Sequence, residues 1–296
     1  MSRVACLGIA AALCAAAMAR AAPPSVDAAA NLEAALKWQT GEVSLGDGIA
    51  HLSVTPGWRF LGPDDATHVL VDAWHNPPER VKPLGMLFAS DVGPLDEDRW
   101  GVVFSYYAEG HVSDGDAEQQ DYEALLRDMQ AAVKERNEKL VHDGYSAVEL
   151  VGWAARPYYD HDAHKLHWAR ELRFGDEAGN TLNYDVRVLG RSGVLVMQAV
   201  APMSQSDAVQ ARMREALSLV EFSPGQRYDD FNSHVDEVAA YGIGGLVAGG
   251  LLAKAGAFKL LLGALLAAKK YVVIGVITGL AGASRFFRRS PRPRAD

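Results

Sequence analysis

Cysteine is nearly absent from this chain: Cys6 and Cys14 are the only two, and both fall within the first 21 residues. If that stretch is removed, no disulfide, thiol nucleophile or thiolate metal site remains. The common catalytic fingerprints are missing as well. There is no P-loop, and a G-x-G-x-x-G frame begun at Gly242 meets Val247 where the last glycine belongs. Ser192 does not sit in a complete G-x-S-x-G frame, and H-E-x-x-H does not occur. No internal repeat or low-complexity linker is evident. These gaps remove the usual sequence signals for phosphoryl transfer, serine hydrolysis and zinc-peptidase chemistry.

Positive charge is scarce in the middle of the chain and abundant at its end. Residues 22–236 carry 18 basic and 35 acidic side chains, whereas residues 237–296 carry nine basic and two acidic. An acidic body disfavours nucleic acid as a partner, and a basic apolar tail suits a membrane. Across 296 residues, 49% are apolar and 22% charged, which allows a sizeable buried core.

Residues 1–21 read as a signal peptide: Arg3 supplies the positive start, Val4 to Ala19 is apolar, and Pro23 and Pro24 follow the small residues of a cleavage site. Residues 237–284 form a second apolar region, interrupted by Lys254, Lys259, Lys269 and Lys270. A helical span needs about 20 residues, and Val238 to Phe258 provides that length with Lys254 near one end. A lysine at the bilayer centre costs roughly 2.5–3.5 kcal/mol, which disfavours a span centred on Lys269–Lys270. Residues 260–283 are left as interfacial helices or as a second span. Residues 285–296 form a basic tail, placed in the cytoplasm by the positive-inside rule. Gly245 and Gly249 make a G-x-x-x-G pair through which a homo-oligomer could pack.

Residues 22–236 then constitute an exported acidic domain. Ala28 to Trp38 suits a short helix, and Gly41 to Thr55 alternates apolar and polar residues around Gly46-Asp47-Gly48, a hairpin signature. Pro63 opens a helix that Pro77 and Pro78 end. Leu84–Ala89 and Trp100–Ala108 are strand candidates. Between Gln120 and His142 apolar residues recur every three or four positions, the period of an amphipathic helix. Strands follow at Ala147–Trp153, Leu166–Phe174, Asn183–Leu189 and Val194–Val200, then a helix capped by Ser206. Runs of hairpin-linked strands argue for an α+β fold, an antiparallel sheet packed with amphipathic helices, plus the C-terminal transmembrane segment.

Two polar clusters stand out. Asp160, His161 and His164, with His167 nearby, are candidate ligands for a borderline divalent metal, and the alternative is a polar hairpin turn fixed by Asp160. Asp91, Asp96-Glu97-Asp98, Asp114, Asp116, Glu118 and Asp121 offer oxygen ligands for calcium. An EF-hand frame fails because Gln119 and Leu125 stand at its glycine and closing-acid positions. The alternative is that these acids favour the positive start of the long helix. Arg156, Arg170, Arg173, Arg187 and Arg191 are read as solvated strand positions, Arg187 also as a carboxylate binder.

Several segments resemble an uncharacterised family of bacterial membrane-anchored proteins, domain of unknown function 2167. They include Thr55-Pro56-Gly57-Trp58-Arg59-Phe60-Leu61, His164-Lys165-Leu166-His167-Trp168, Asn183-Tyr184-Asp185-Val186-Arg187 and Pro224-Gly225-Gln226-Arg227-Tyr228-Asp229-Asp230-Phe231. The resemblance spans roughly residues 38–289 and implies an exported domain with a C-terminal membrane region, without an activity or a cofactor. A looser likeness links the order of elements to the PsbP and Mog-type sandwich, which acts by binding proteins. The resulting expectation is a protein of the bacterial inner membrane whose domain faces the periplasm and binds an envelope partner without catalysis. A metal-assisted hydrolase using Asp160, His161 and His164 is the alternative, and membrane remodelling through the C-terminal segment is another.

Overall fold

Alternation fixes the first hairpin. Val43 and Leu45 on β2 (Gly41–Leu45) and Ala50, Leu52 and Val54 on β3 (Ala50–Val54) are buried, while Glu42, Ser44 and His51 between them are exposed. The strands pair antiparallel with Leu45 opposite Ala50. Gly46, Asp47 and Gly48 turn the chain with φ of 58°, 56° and 87°, the left-handed region that glycine and aspartate tolerate best. The computed structural model describes residues 33–248, apart from 75, 77–80, 97–98, 143–146 and 176–178.

Within that range, β1 is Trp38–Gln39, β4 Trp58–Leu61, β5 Gly85–Ala89 and β6 Val102–Tyr107. The later strands are β7 Val148–Asp160, β8 Lys165–Phe174, β9 Thr181–Leu189, β10 Val194–Pro202 and β11 Val220–Phe222. Eight of them form one sheet in the order β1-β4-β5-β6-β10-β9-β8-β7, and β11-β3-β2 form a small second sheet. Every strand pair in both sheets is antiparallel. The fold is thus mostly antiparallel sheet with a few helices. These are α1 (Pro63–His68, continued by a π turn to Ala73), α2 (Tyr122–His142), α3 (Ser206–Ser218) and α4 (Ile243–Val247).

The core lies between the two sheets. Val102, Phe104, Tyr184, Val186, Leu195 and Met197 of the large sheet meet Leu45, Leu52, Val220 and Phe222 of the small one, with Val209, Met213 and Ala216 of α3 closing one side. On the opposite face α1 brings Ala66 and Val69 onto Leu61, Met86 and Phe88. Against β7 lies α2: Gln130 Nε2 donates to the Leu150 and Val151 carbonyls, and the Asn137 amide bonds both N and O of Val148. A strand edge would otherwise leave such backbone groups unmet.

Three expectations need correction. Of the expected helix over 28–38, residues 33–35 are helical, but Trp38 opens β1 rather than ending it, and residues 28–32 lie outside the described residues. Ser206 is the first helical residue after a 3-10 turn (Met203–Gln205), not a cap. Strand β7 runs seven residues past Trp153, through three register shifts against β8 that break its alternation.

The largest correction concerns the proposed span Val238–Phe258. His111 N donates to Glu237 O and Ala239 N to His111 O, both at 2.8 Å, so Val238 bridges His111 in parallel. The α4 helix starts only at Ile243 and has five residues. The carboxylate of Asp116 accepts the amides of Ile243 (2.8 Å) and Gly244 (3.3 Å). Those amides would otherwise be orphan donors at a helix start. The folded unit therefore continues through Ala248 instead of ending at Asp236. Among the described residues no helix is long and apolar enough to cross a membrane. The signal peptide, residues 249–258, the stretch 260–283 and the basic tail lie outside the described residues.

The glycines of this segment also read differently in three dimensions. A Cβ on Gly242 would strike the Asp116 carboxylate, and one on Gly244 would strike the Gln120 amide. A Cβ on Gly245 would lie 2.6 Å from Tyr241 Cβ, so this glycine gives room to its own chain. Its proposed pair-mate, Gly249, lies outside the described residues.

Candidate functional site

The β7–β8 connection is made by Asp160. Its Oδ1 accepts the amides of Asp162 (3.0 Å) and Ala163 (3.1 Å), a turn that aspartate side chains favour. The chain then passes through His164 at φ 49°, which swings that imidazole back beside Tyr159. The Tyr159 hydroxyl donates to Asp114 Oδ2 at 2.9 Å and lies 3.2 Å from His164 Nδ1. With its proton given to the carboxylate, the phenol oxygen is an acceptor for a proton on Nδ1.

Asp114 comes from the loop before α2, 45 residues from Tyr159. His164 Nδ1 is 3.6 Å from its carboxylate, and His161 Nδ1 is 4.0 Å away. His161 Nε2 lies 3.7 Å from Glu118, and its ring meets Tyr159 edge-on. The two sequence clusters therefore meet in part, through Asp114 and Glu118, while Asp96 accepts from Gly93 N and Asp91 lies by Arg212, and the meeting is not a metal trio. Asp160 turns to the backbone amides while Asp114 takes its place beside the histidines. Among the described residues no group of three or more His, Cys, Asp and Glu is arranged to hold a metal ion. His167 stands apart, across the strand pair from Tyr158.

Residues 224–231, which the sequence marks only through the family resemblance, contribute the rest. The Tyr228 ring stacks on His164 at 4.0 Å, and its hydroxyl accepts the Asp114 amide at 3.2 Å. On its other side Tyr228 meets His111 at 4.3 Å, and His111 stacks on Phe231 at 3.9 Å. The order Phe231, His111, Tyr228, His164 forms a continuous ring stack. Asp229 Oδ1 lies 3.5 Å from His164 Nε2. Beyond it, Arg191 grips Asp236 with two nitrogens, at 2.8 and 3.0 Å.

Burial raises the Asp114 carboxyl, but the Tyr159 and Tyr228 hydroxyls, its own amide and the charge of His164 outweigh this and hold it below the usual carboxylate range. Burial first, and the adjoining Asp114 carboxylate second, push the Tyr159 phenol far above its ordinary value. Burial and the charge of Asp114 push Tyr228 up to about 12. Both phenols remain protonated donors at neutral pH. Burial draws His111 down, so its ring is biased to the neutral form within the stack.

A depressed folded-state value means that the ionised Asp114 stabilises the fold above its unfolded pKa of about 3.9. That contribution is lost as pH falls through the lower folded value. Asp114→Asn is expected to lower the urea midpoint at neutral pH and to flatten its decline below about pH 4. Paired urea titrations at neutral and acid pH check both parts.

Beside this cluster a cleft of about 470 Å³ opens between the start of α2 and the end of β7. Glu118, Asp160 and Asp162 line it with Tyr122, Tyr158, Tyr159 and His161, and among the described residues no lysine or arginine does. Tyr158 is 61% exposed at its rim.

A second polar group lies on the α2 side of the large sheet. Arg170 and Arg187, expected to be solvated, both reach Asp185, which is fully buried. The sequence reading that Arg187 binds a carboxylate fits this ion pair of 3.0 Å.

No curated protein matches the sequence. Among solved structures, the fold is similar to cyanobacterial PsbP (CyanoP) from Synechocystis, at 9% identity and TM-score 0.36, over 64% of this chain and 94% of that one. It is also similar to the Ran-binding protein Mog1p of Saccharomyces cerevisiae, at 13% identity and TM-score 0.35, over 63% and 96% of the respective chains. The chain belongs to the family described as protein of unknown function (DUF2167), whose model matches residues 37–280.

Proposed function

We propose that this protein is a non-catalytic binding module whose acidic, tyrosine-lined cleft receives a cationic segment of a partner protein. The carrying observation is the lining itself: three carboxylates and three tyrosines, with one histidine, His161, and none of the described lysines or arginines. A guanidinium or ammonium group finds charge-assisted acceptors in Glu118, Asp160 and Asp162, and aromatic faces in Tyr122 and Tyr158. The acidic body, 35 acids against 18 bases over residues 22–236, would steer such a partner toward it. Two of the three groups named for a hydrolase have other tasks: Asp160 closes a turn, and His164 lies between the Tyr228 ring and the Tyr159 hydroxyl.

The setting we propose is the bacterial inner membrane, with an N-terminal export signal, the domain outside, and the apolar sequence after Ala248 as the anchor. Support comes from residues 4–19, from the apolar run 251–283 and from the arginines that follow it. An envelope protein is then the partner.

Full-length protein in detergent is titrated with fluorescent Arg-rich and Glu-rich peptides. Saturable binding of the Arg-rich peptide alone is expected, weakening as salt rises. Glu118→Gln combined with Asp162→Asn should reduce that affinity about tenfold, the scale of one charge-assisted hydrogen bond. Equal affinity for both peptides, or binding untouched by the double variant, would sink the reading.

A further inference from the structure

Strands β8 and β9 bury more positive charge than negative. Arg170 Nη2 lies 2.7 Å from Asp185 Oδ2 and 3.0 Å from Asn183 Oδ1. Arg187 Nη2 lies 3.0 Å from the other oxygen of Asp185, which also accepts from Gln198 Nε2 at 3.1 Å. The Asp185 side chain is 0% exposed, that of Arg170 9% and that of Arg187 14%. Two guanidinium groups thus share one carboxylate. The neighbouring acids are engaged elsewhere, Glu171 by Asn180 and Glu149 by Arg173. Among the described residues no other carboxylate lies within ion-pair distance of Arg170 or Arg187.

The same patch holds two buried donors without acceptors, Arg170 Nε and Trp168 Nε1. They stand two residues apart on β8, so both side chains leave the same face, about 6.7 Å apart along the strand. The Arg187 guanidinium lies 5.0 Å from the centre of the Trp168 ring, so the surplus cation and the orphan indole N–H are neighbours. Buried N–H groups are almost always paired, and a buried charge needs a counter-ion. A single kind of group answers both demands: an acceptor that is also negative. A water molecule would satisfy the donors but leave the charge.

We propose that this patch is a binding site for a small oxyanion, a carboxylate or phosphate, held by Trp168 Nε1, Arg170 Nε and Arg187. Asp185 and Asn183 fix the two guanidinium groups so that their free edges are set in advance. The site shares no residue with the acidic cleft and takes ligands of opposite sign, so either can fail without the other.

The test is thermal unfolding of the full-length protein in detergent, with inorganic phosphate, acetate or chloride at matched ionic strength. The expected result is a saturable rise in Tm with phosphate or acetate, a change in tryptophan emission over the same range, and neither effect with chloride. Arg187→Gln removes the surplus charge and should abolish the response. Trp168→Phe keeps a packed ring but drops one donor, and should weaken apparent affinity about tenfold. If Arg187→Gln does not fold, Trp168→Phe alone decides. No saturable rise, a rise equally given by chloride, or an unaltered response in Trp168→Phe overturns the site and leaves the donors to internal water.

Discussion

Asp185→Ala is expected to cost about 3–5 kcal/mol of folding stability, the range for removing one partner of a buried ion pair. The substitution deletes more than contacts. It leaves Arg170 and Arg187 facing each other in the sheet with no carboxylate between them, and it strands Gln198 Nε2. Urea unfolding should show a lowered midpoint with an unchanged slope. Asp185→Asn retains an acceptor for one guanidinium and should cost less, although its amide brings protons toward the other. A loss below about 1 kcal/mol for the alanine variant would mean that water reaches this face, because only hydrated arginines tolerate losing their partner so cheaply.

Gly85→Ala should cost about 3 kcal/mol, the combined scale of a strained backbone and an overpacked core. Gly85 opens β5 at φ 152°, a conformation that L side chains rarely adopt. A Cβ there would drive into the Phe60 ring and sit 2.5 Å from the Leu61 carbonyl, a backbone atom that cannot step aside. Gly152 supplies the control. It lies on β7 with nothing within 4 Å of the methyl that alanine would add, and Gly152→Ala should leave the stability within about 0.5 kcal/mol of the parent. Equal losses at the two positions would show that backbone freedom, not the approach of Phe60, sets the requirement at Gly85.

Sequence periodicity reveals those elements whose burial follows a simple rule. The hairpin β2–β3 and the helix α2 are legible because one face of each is apolar. Strand β7 is only half legible: its register shifts at residues 150–152, 153–155 and 155–158 interrupt the alternation, and Tyr158 points outward at 61% exposure. The short β4 escapes notice because four residues carry little pattern.

The site is legible in pieces. His161 and His164 are visible as a cluster and Asp114 as part of another, but only the return of the chain 45 residues later joins them. Tyr228 gives no signal of its own, since nothing in a Pro-Gly-Gln-Arg-Tyr segment says that its ring will lie on a histidine 64 residues earlier. Arg170 and Arg187 mislead for a different reason. Polar residues alternating with apolar ones normally mark a solvated face. Here the second face of the sheet is buried as well, so the same alternation places charges inside. Gly242, Gly244 and Gly245 mislead in the same way. Small residues in an apolar run resemble membrane packing, yet here they make room for Asp116, Gln120 and Tyr241.

The attachment of residues 237–248 has a mechanical consequence. Tension applied to the chain beyond Ala248 loads the buried side chains of α4 and the Asp116 carboxylate at its start, and then the paired bonds between His111 and residues 237 and 239. Those two bonds flank a parallel bridge, so a pull along the strand loads them together in shear instead of opening them one at a time. The next restraint is the two-nitrogen grip of Arg191 on Asp236. Force entering from the C-terminal side is therefore delivered to the loop that carries His111, Asp114 and Asp116, the loop that also holds Tyr159 and Tyr228. A tug on the tail would be felt at the ring stack once the buried side chains of α4, Ile243, Leu246 and Val247, had given way.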